Sequence, residues 1–195
     1  DGTAEGTVLV KDINPGSADS YIANWIDINN TLYFSASDST LDNELWKSDG
    51  TASGTVLVDD INTTTKDSSP AYLTNINGTV YFTATDGTNQ IELWKSDGTA
   101  SGTVLVKDIS KASSLFGPSD LTNVNGTLYF TADNGTNGRE LWKSDGTAAG
   151  TVLVKDINPG SGNSSPFNLT NVNGTLYFTA YDPIDGVQLW MSDGT

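Results

Sequence analysis

Apolar and polar residues alternate along this chain in short runs, and turn residues interrupt them about every ten positions. Residues 71–77 (AYLTNIN) form one such run, closed by the favoured hairpin pair Asn77-Gly78. Residues 79–86 (TVYFTATD) are β-branched and aromatic. Strand periodicity puts Val80, Phe82 and Ala84 on one face and Tyr81 and Thr83 on the other. A polar turn (Asp86-Gly87-Thr88-Asn89) leads to 92–96 (ELWKS), and Asp97-Gly98-Thr99 turns the chain into 103–109 (TVLVKDI). No segment sustains a helical period. The pattern predicts four strands, three tight turns and a longer link such as 62–70.

This pattern recurs. Leu-Trp stands at Trp46, Trp94, Trp142 and Trp190, and Tyr-Phe at Tyr33, Tyr81, Tyr129 and Tyr177, each spaced by 48 residues. Asp-Gly-Thr stands at Asp1, Asp49, Asp97, Asp145 and Asp193 at the same spacing. A fixed period of this length marks a repeat architecture. Apolar residues occupy both faces of each unit, so each sheet needs a neighbour on either side, and radial stacking supplies them. The predicted fold is therefore an all-β, four-bladed β-propeller with four antiparallel strands per blade. The units run approximately 14–61, 62–109, 110–157 and 158–195. The last is completed by 1–13, whose strand 7–13 is expected to pair beside Leu189-Trp190 and close the ring without a covalent bond. Two rivals stay open: a slice of a longer array, and two chains joined in an eight-bladed ring. A β-solenoid fits less well, because its coils are usually shorter.

The run Glu44-Leu45-Trp46-Lys47-Ser48-Asp49-Gly50-Thr51 and its copies from Glu92 and Glu140 resemble the ELWxxDGT repeat of large bacterial secreted or surface proteins. The copy from Gln188 departs, with Gln for Glu and Met191 for Lys. The resemblance spans essentially the whole chain. It implies a propeller-like fold and an extracellular or cell-surface location, and it brings no catalytic residues.

Composition narrows the chemistry. The chain has no cysteine and no histidine, which removes disulfides, thiolate nucleophiles and the commonest general base and metal ligand. Nine Lys and Arg stand against 24 Asp and Glu, for a formal net charge of −15. Such a surface repels nucleic acid and anionic lipid. No apolar run approaches transmembrane length and no signal-like segment opens the chain. It begins in mid-motif, so a processed form or an excerpt is expected.

Several residues invite a functional reading. Trp46, Trp94, Trp142 and Trp190 are expected to pack between blades, with each indole N–H partnered. Asp49, Asp97 and Asp145 are expected to form tight turns. Acidic groups gather in the second-to-third strand turns, at Asp38, Asp42, Asp86, Asp133, Asp182 and Asp185. Asp133, Asn137 and Glu140 are candidate calcium ligands, although their spacing departs from the EF-hand and solvated turn chemistry explains them more simply. No other cofactor is expected. Asn-x-Ser/Thr sequons such as Asn77 and Asn125 are read as hairpin turns.

The strand order puts the links and the second-to-third turns on one face, together with the irregular residues Tyr21, Trp25, Tyr72, Phe116, Phe167 and Tyr181. These are candidate ligand-face residues, or else caps on the rim of the core. The leading expectation is a non-enzymatic structural or adhesive module with a protein or glycan partner at the cell surface, able to self-associate by strand exchange or disc contacts. The alternative is a carbohydrate-binding propeller using the irregular face. A carboxylate-pair glycosidase needs no histidine, but no buried acid with a raised pKa is evident, and enzymatic activity is not expected.

Overall fold

The computed structural model describes residues 2–40, 43–64, 66–111 and 116–194, and among them the chain forms strands and no helix. The first sheet holds β1 (Ala23–Ile28), β2 (Thr31–Ser37), β3 (Asn43–Ser48) and β4 (Val56–Asp59). The second holds β5 (Ala71–Ile76), β6 (Thr79–Ala84), β7 (Glu92–Ser96) and β8 (Val104–Lys107). The third holds β9 (Ser119–Val124), β10 (Thr127–Asp133), β11 (Arg139–Ser144) and β12 (Val152–Lys155). The fourth has β13 (Phe167–Val172), β14 (Thr175–Asp182) and β15 (Gly186–Ser192) alone. All neighbours are antiparallel and follow chain order, as in a meander.

The turns explain the pairing. Asn77 and Gly78 lie at φ 52° and 87°, the left-handed pair that a two-residue hairpin requires. Each innermost strand also carries one bulge with a left-handed residue: Asn24, Tyr72, Asp120 or Asn168, at φ 53–57°. A bulge increases local twist and redirects a side chain.

Both sheet faces are packed, as the alternation predicts. Val80, Phe82 and Ala84 of the second sheet meet Tyr33, Leu45, Val58 and Ile61 of the first. The opposite face of the second sheet, with Tyr81, Leu93 and Val106, meets Leu128, Phe130, Ala132 and Trp142 of the third. The third meets the fourth in the same way, through Leu141 against Leu176 and Phe178. Each fully buried Leu or Phe contributes roughly 2 kcal/mol over leaving it exposed. The inner strands touch in the succession β1–β5–β9–β13. The molecule is a propeller-like stack of blades.

The expected closure does not form within the chain. Residues 7–13 lie against the first sheet, where Ile13 packs with Phe34, Ala36 and Trp46, and Lys11 Nζ donates to the Thr55 carbonyl at 2.7 Å. The apolar Val10 and Ile13 seat this segment on the first sheet much as β4 seats on the second. It leaves β15 as the free edge of a three-stranded sheet. The fourth unit, expected to be completed by 1–13, is thus open. Leu189 is 73% exposed, whereas its equivalents Leu45, Leu93 and Leu141 are buried to within 1%.

Candidate functional site

The repeated signature is accounted for residue by residue as structure. The Glu44 carboxylate is buried beneath the link and accepts hydrogen bonds from the backbone N–H groups of Ile61 and Ser68, both at 3.1 Å, and from the Ser68 hydroxyl. Glu92 accepts from the N–H groups of Ile109 and Ser110, both at 2.9 Å. Glu140 accepts from those of Ile157, Asn158 and Ser164. Burial outweighs these bonds and pushes Glu44 and Glu92 up to about 7, with Glu140 raised as well. Buried acids with raised pKa are therefore present, contrary to the sequence expectation. The strand pattern hid them, because it cannot say that a polar residue turns inward to cap a link.

Leu45, Leu93 and Leu141 face the following sheet, Trp94, Trp142 and Trp190 face the preceding one, and Trp46 packs with Ile13. Lys47, Lys95 and Lys143 reach across to the carbonyls of Gly98, Gly146 and Gly194 in the next unit, at 2.6–2.9 Å. The Ser48 hydroxyl shares a 2.7 Å hydrogen bond with Thr55 and accepts from the Gly50 N–H. Asp49 accepts from the Thr51 N–H and hydroxyl, bonds that hold its carboxyl below the usual range, and Asp97 and Asp145 repeat the arrangement. The expected turn role of these aspartates holds. The indole expectation holds in part: Trp94 donates to the Ala84 carbonyl at 3.1 Å, but the Trp46, Trp142 and Trp190 N–H groups are buried with no hydrogen-bond partner among the described residues. Apolar packing of the rings outweighs those unmet donors.

The links and second-to-third turns do share one face, as backbone bonds from Ser68 to Asn43 and from Tyr181 to Ser164 attest. Tyr72 stands on the bulge of β5, Phe167 opens β13, and Tyr181 pairs with Val187 one residue before the end of β14. Tyr21 lies in a link beside Leu9 and Lys11. Trp25 departs from the expected face. It occupies the position of Leu73, Leu121 and Leu169, which pack between sheets, and it lines an apolar groove of about 160 Å³ with Val10, Ile13 and Ile22 on the outer side of the first sheet.

Around Phe116 the link face gathers a polar group that the strand pattern did not single out. Arg139 Nη2 bonds the Ser119 hydroxyl and the Thr131 hydroxyl (2.8 Å), and lies 3.4 Å from the Asp120 carboxylate. Its guanidinium sits 5.4 Å from the centre of the Phe116 ring. Equivalent positions hold Asn43, Ile91 and Val187, so Arg139 is legible only as an irregularity among copies.

Each of the three calcium candidates has hydrogen-bond partners of its own. Glu140 is committed to the link, Asp133 accepts from the Gly135 N–H, and the Asn137 amide donates to Asp156. No group of three or more acidic side chains among the described residues is close enough to hold a metal ion. Asp42 lies outside the described residues.

No protein-family model and no curated protein matches the chain. Among solved structures it is similar to a puromycin hydrolase, with TM-score 0.58 and 13% identity, over 90% of this chain and 27% of that one. It also matches an α-L-arabinofuranosidase from Clostridium thermocellum (TM-score 0.43, 18% identity, 91% of this chain and 70% of that one). A third match is the GH43 endo-arabinanase of Bacillus licheniformis (TM-score 0.27, 15% identity, 92% and 95%). At these identities the likeness concerns fold, and the chain spans about a quarter of the length of the puromycin hydrolase. The expectation that the chain is not an enzyme is corrected here. The matched structures are named as enzymes, while the likeness itself concerns fold alone.

Proposed function

We propose that the chain is a carbohydrate-binding propeller segment whose ligand side is the link face. The observation that carries this reading is the segregation of differences among the copies. The signature residues are consumed by packing and turns, whereas the left-handed bulge position alone reads Asn24, Tyr72, Asp120 and Asn168. A scaffold needs sameness, and a specific site is free to break it. Phe116 beside Arg139 and Asp120, on the sheet that follows that of Tyr72, joins aromatic faces to planar donors and a carboxylate acceptor, which suits the apolar faces and hydroxyl rims of sugar rings. The charge of −15 favours neutral or cationic glycans over acidic ones. The resemblance to ELWxxDGT repeats adds the expectation that binding takes place outside the cytoplasm.

A panel of neutral and acidic polysaccharides tests this, with binding and release of reducing ends measured on the same samples. Retention of a neutral glycan is expected, with Tyr72→Ala and Phe116→Ala each weakening it on the order of tenfold. Trp25→Ala, on the outer side of the first sheet, is expected to leave it unchanged. Binding that is insensitive to Tyr72 and Phe116, or no binding across the panel, sinks the reading.

A further inference from the structure

The third sheet departs from the others at three neighbouring positions at once, with Ser119, Asp120 and Arg139. No other unit carries a hydroxyl at the first of these positions or a cation at the third. Arg139 Nη2 donates to the hydroxyls of Ser119 and Thr131, both buried. The Ser119 hydroxyl donates in turn to Asp120 Oδ2 at 2.7 Å, and Nη2 lies 3.4 Å from that same oxygen. One nitrogen of the guanidinium and one oxygen of the carboxylate are therefore tied into a polar knot. Arg139 Nε and Nη1 and Asp120 Oδ1 bond to none of the described residues, and the two side chains are 19% and 38% exposed.

The fold does not require this pair. The second sheet forms the same four strands with Ile91 in the place of Arg139. What the knot does is fix half of each charged group and present the other half, the preorganisation that recognition of a polar ligand calls for. Two aromatic residues stand nearby. The Phe116 ring, 48% exposed, has its centre 5.4 Å from the guanidinium. Tyr72 holds the bulge position equivalent to Asp120 on β5, the inner strand that touches β9. Its φ of 55° suits asparagine and aspartate but strains a bulky side chain, and strain of that kind persists where a site uses it.

The presented atoms define the chemistry they take. A ligand ammonium would meet Arg139 and a ligand carboxylate would meet Asp120, so each ionic group gains one contact and suffers the other. A neutral group that accepts and donates side by side satisfies both. Adjacent hydroxyls on a sugar ring do this, one accepting from Nη1 or Nε while its neighbour donates to Oδ1. We propose that Asp120 and Arg139 read a vicinal diol of a neutral sugar ring whose apolar face lies against Phe116, and that the four units hold one such site between them. This rests on the glycan reading above and narrows it to two side chains and one functional group.

Linkage chemistry supplies the probes. Soluble (1→4)-linked glucan, mannan and galactan carry a free diol at C2 and C3 of every interior ring, whereas interior rings of (1→3)-linked glucan carry none. At least one of the former is expected to be retained, with (1→3)-linked glucan held tenfold or more less tightly, on the order of one lost charge-assisted hydrogen bond. Periodate followed by borohydride, which opens the bond between adjacent hydroxyl-bearing carbons, is expected to abolish retention. Arg139→Ile, which installs the second unit's residue, and Asp120→Asn are each expected to weaken binding roughly tenfold with the melting profile showing a folded chain. Should Arg139→Ile not fold, Arg139→Lys keeps the charge, loses the planar fork and is expected to weaken binding likewise. Asn168→Ala, at the same bulge of the fourth sheet, is expected to leave affinity unchanged. Titration with a short oligosaccharide of the retained glycan is expected to give one site per chain. The inference is overturned by equal retention of the two linkages, by binding that survives periodate, by two or more sites per chain, or by binding that depends on Tyr72 and Phe116 but not on Arg139. That last outcome leaves the glycan reading standing, whereas no binding of any glycan removes both.

Discussion

Glu44, Glu92 and Glu140 each sit under a link with their oxygens occupied by N–H donors, so two opposing effects act on one carboxyl. Hydrogen bonds favour the charged form and burial disfavours it, and burial wins. For Glu44 and Glu92 the folded pKa of about 7 exceeds the ordinary 4.5, so the folded chain holds more protons between those values. Their contribution is fully present below pH 4.5 and is lost as pH rises through about 7. Asp49, Asp97 and Asp145, held below 3.8, act in the opposite sense and lose their contribution only in stronger acid. The chain is therefore expected to melt roughly 5 °C higher at pH 5 than at pH 8, at about 1 kcal/mol per glutamate after allowance for solvent screening. Glu92→Gln is expected to shrink that difference, and equal melting points at the two pH values would contradict the account. Glu92→Ala is expected to cost about 2 kcal/mol at pH 7, by stranding the Ile109 and Ser110 N–H groups. The sequence shows a glutamate recurring every 48 residues but not why, because the donors it serves are up to 24 positions away.

At the scale of the strand and turn, much was readable in advance. The reading of 92–96 as a strand matches β7, and the Asn77-Gly78 hairpin forms as its residue types require. What escaped is contact between elements of neighbouring units. The Asp-Gly-Thr turn of one unit docks on the tyrosine of the unit before. At Gly98 (φ 89°) an added Cβ meets the Tyr33 hydroxyl, and at Gly146 it meets that of Tyr81. Gly50 has the same φ of 89° with open space around it. Gly50→Ala therefore reports backbone strain alone, about 1 kcal/mol, and Gly98→Ala adds the clash, for about 2 kcal/mol or more. Denaturant midpoints of the two variants measure the difference. Equal losses would mean that the docking of turn on tyrosine contributes nothing. Trp25 misled for a related reason: a large aromatic among leucines reads as an irregular, ligand-facing residue, whereas its position in the strand aims it at the outer side of the first sheet, where it stays 67% exposed.

For the whole molecule, the period of 48 correctly announced sheets that need neighbours on both faces, but it could not say whether the first and last units meet. Closure depends on the angle accumulated over four contacts, and no local pattern encodes that angle. The structure leaves the fourth sheet short of a strand and exposed on one face. In the single chain, amides of β13–β15 are accordingly expected to exchange hydrogen faster than those of β5–β7, which are covered on both sides. Uniform protection across all four sheets at low concentration would show that the ends are already covered.

The lysine-to-glycine and glutamate-to-link contacts have a genetic corollary. Since they tie every unit only to itself and its successor, a duplication of any 48-residue window, wherever it starts, lengthens the stack by one blade with every bond re-formed in phase. Near-identical stretches such as 93–109 and 141–157, which differ at one position and lie one period apart, offer recombination the homology to do so, which leaves blade number free to change by whole units.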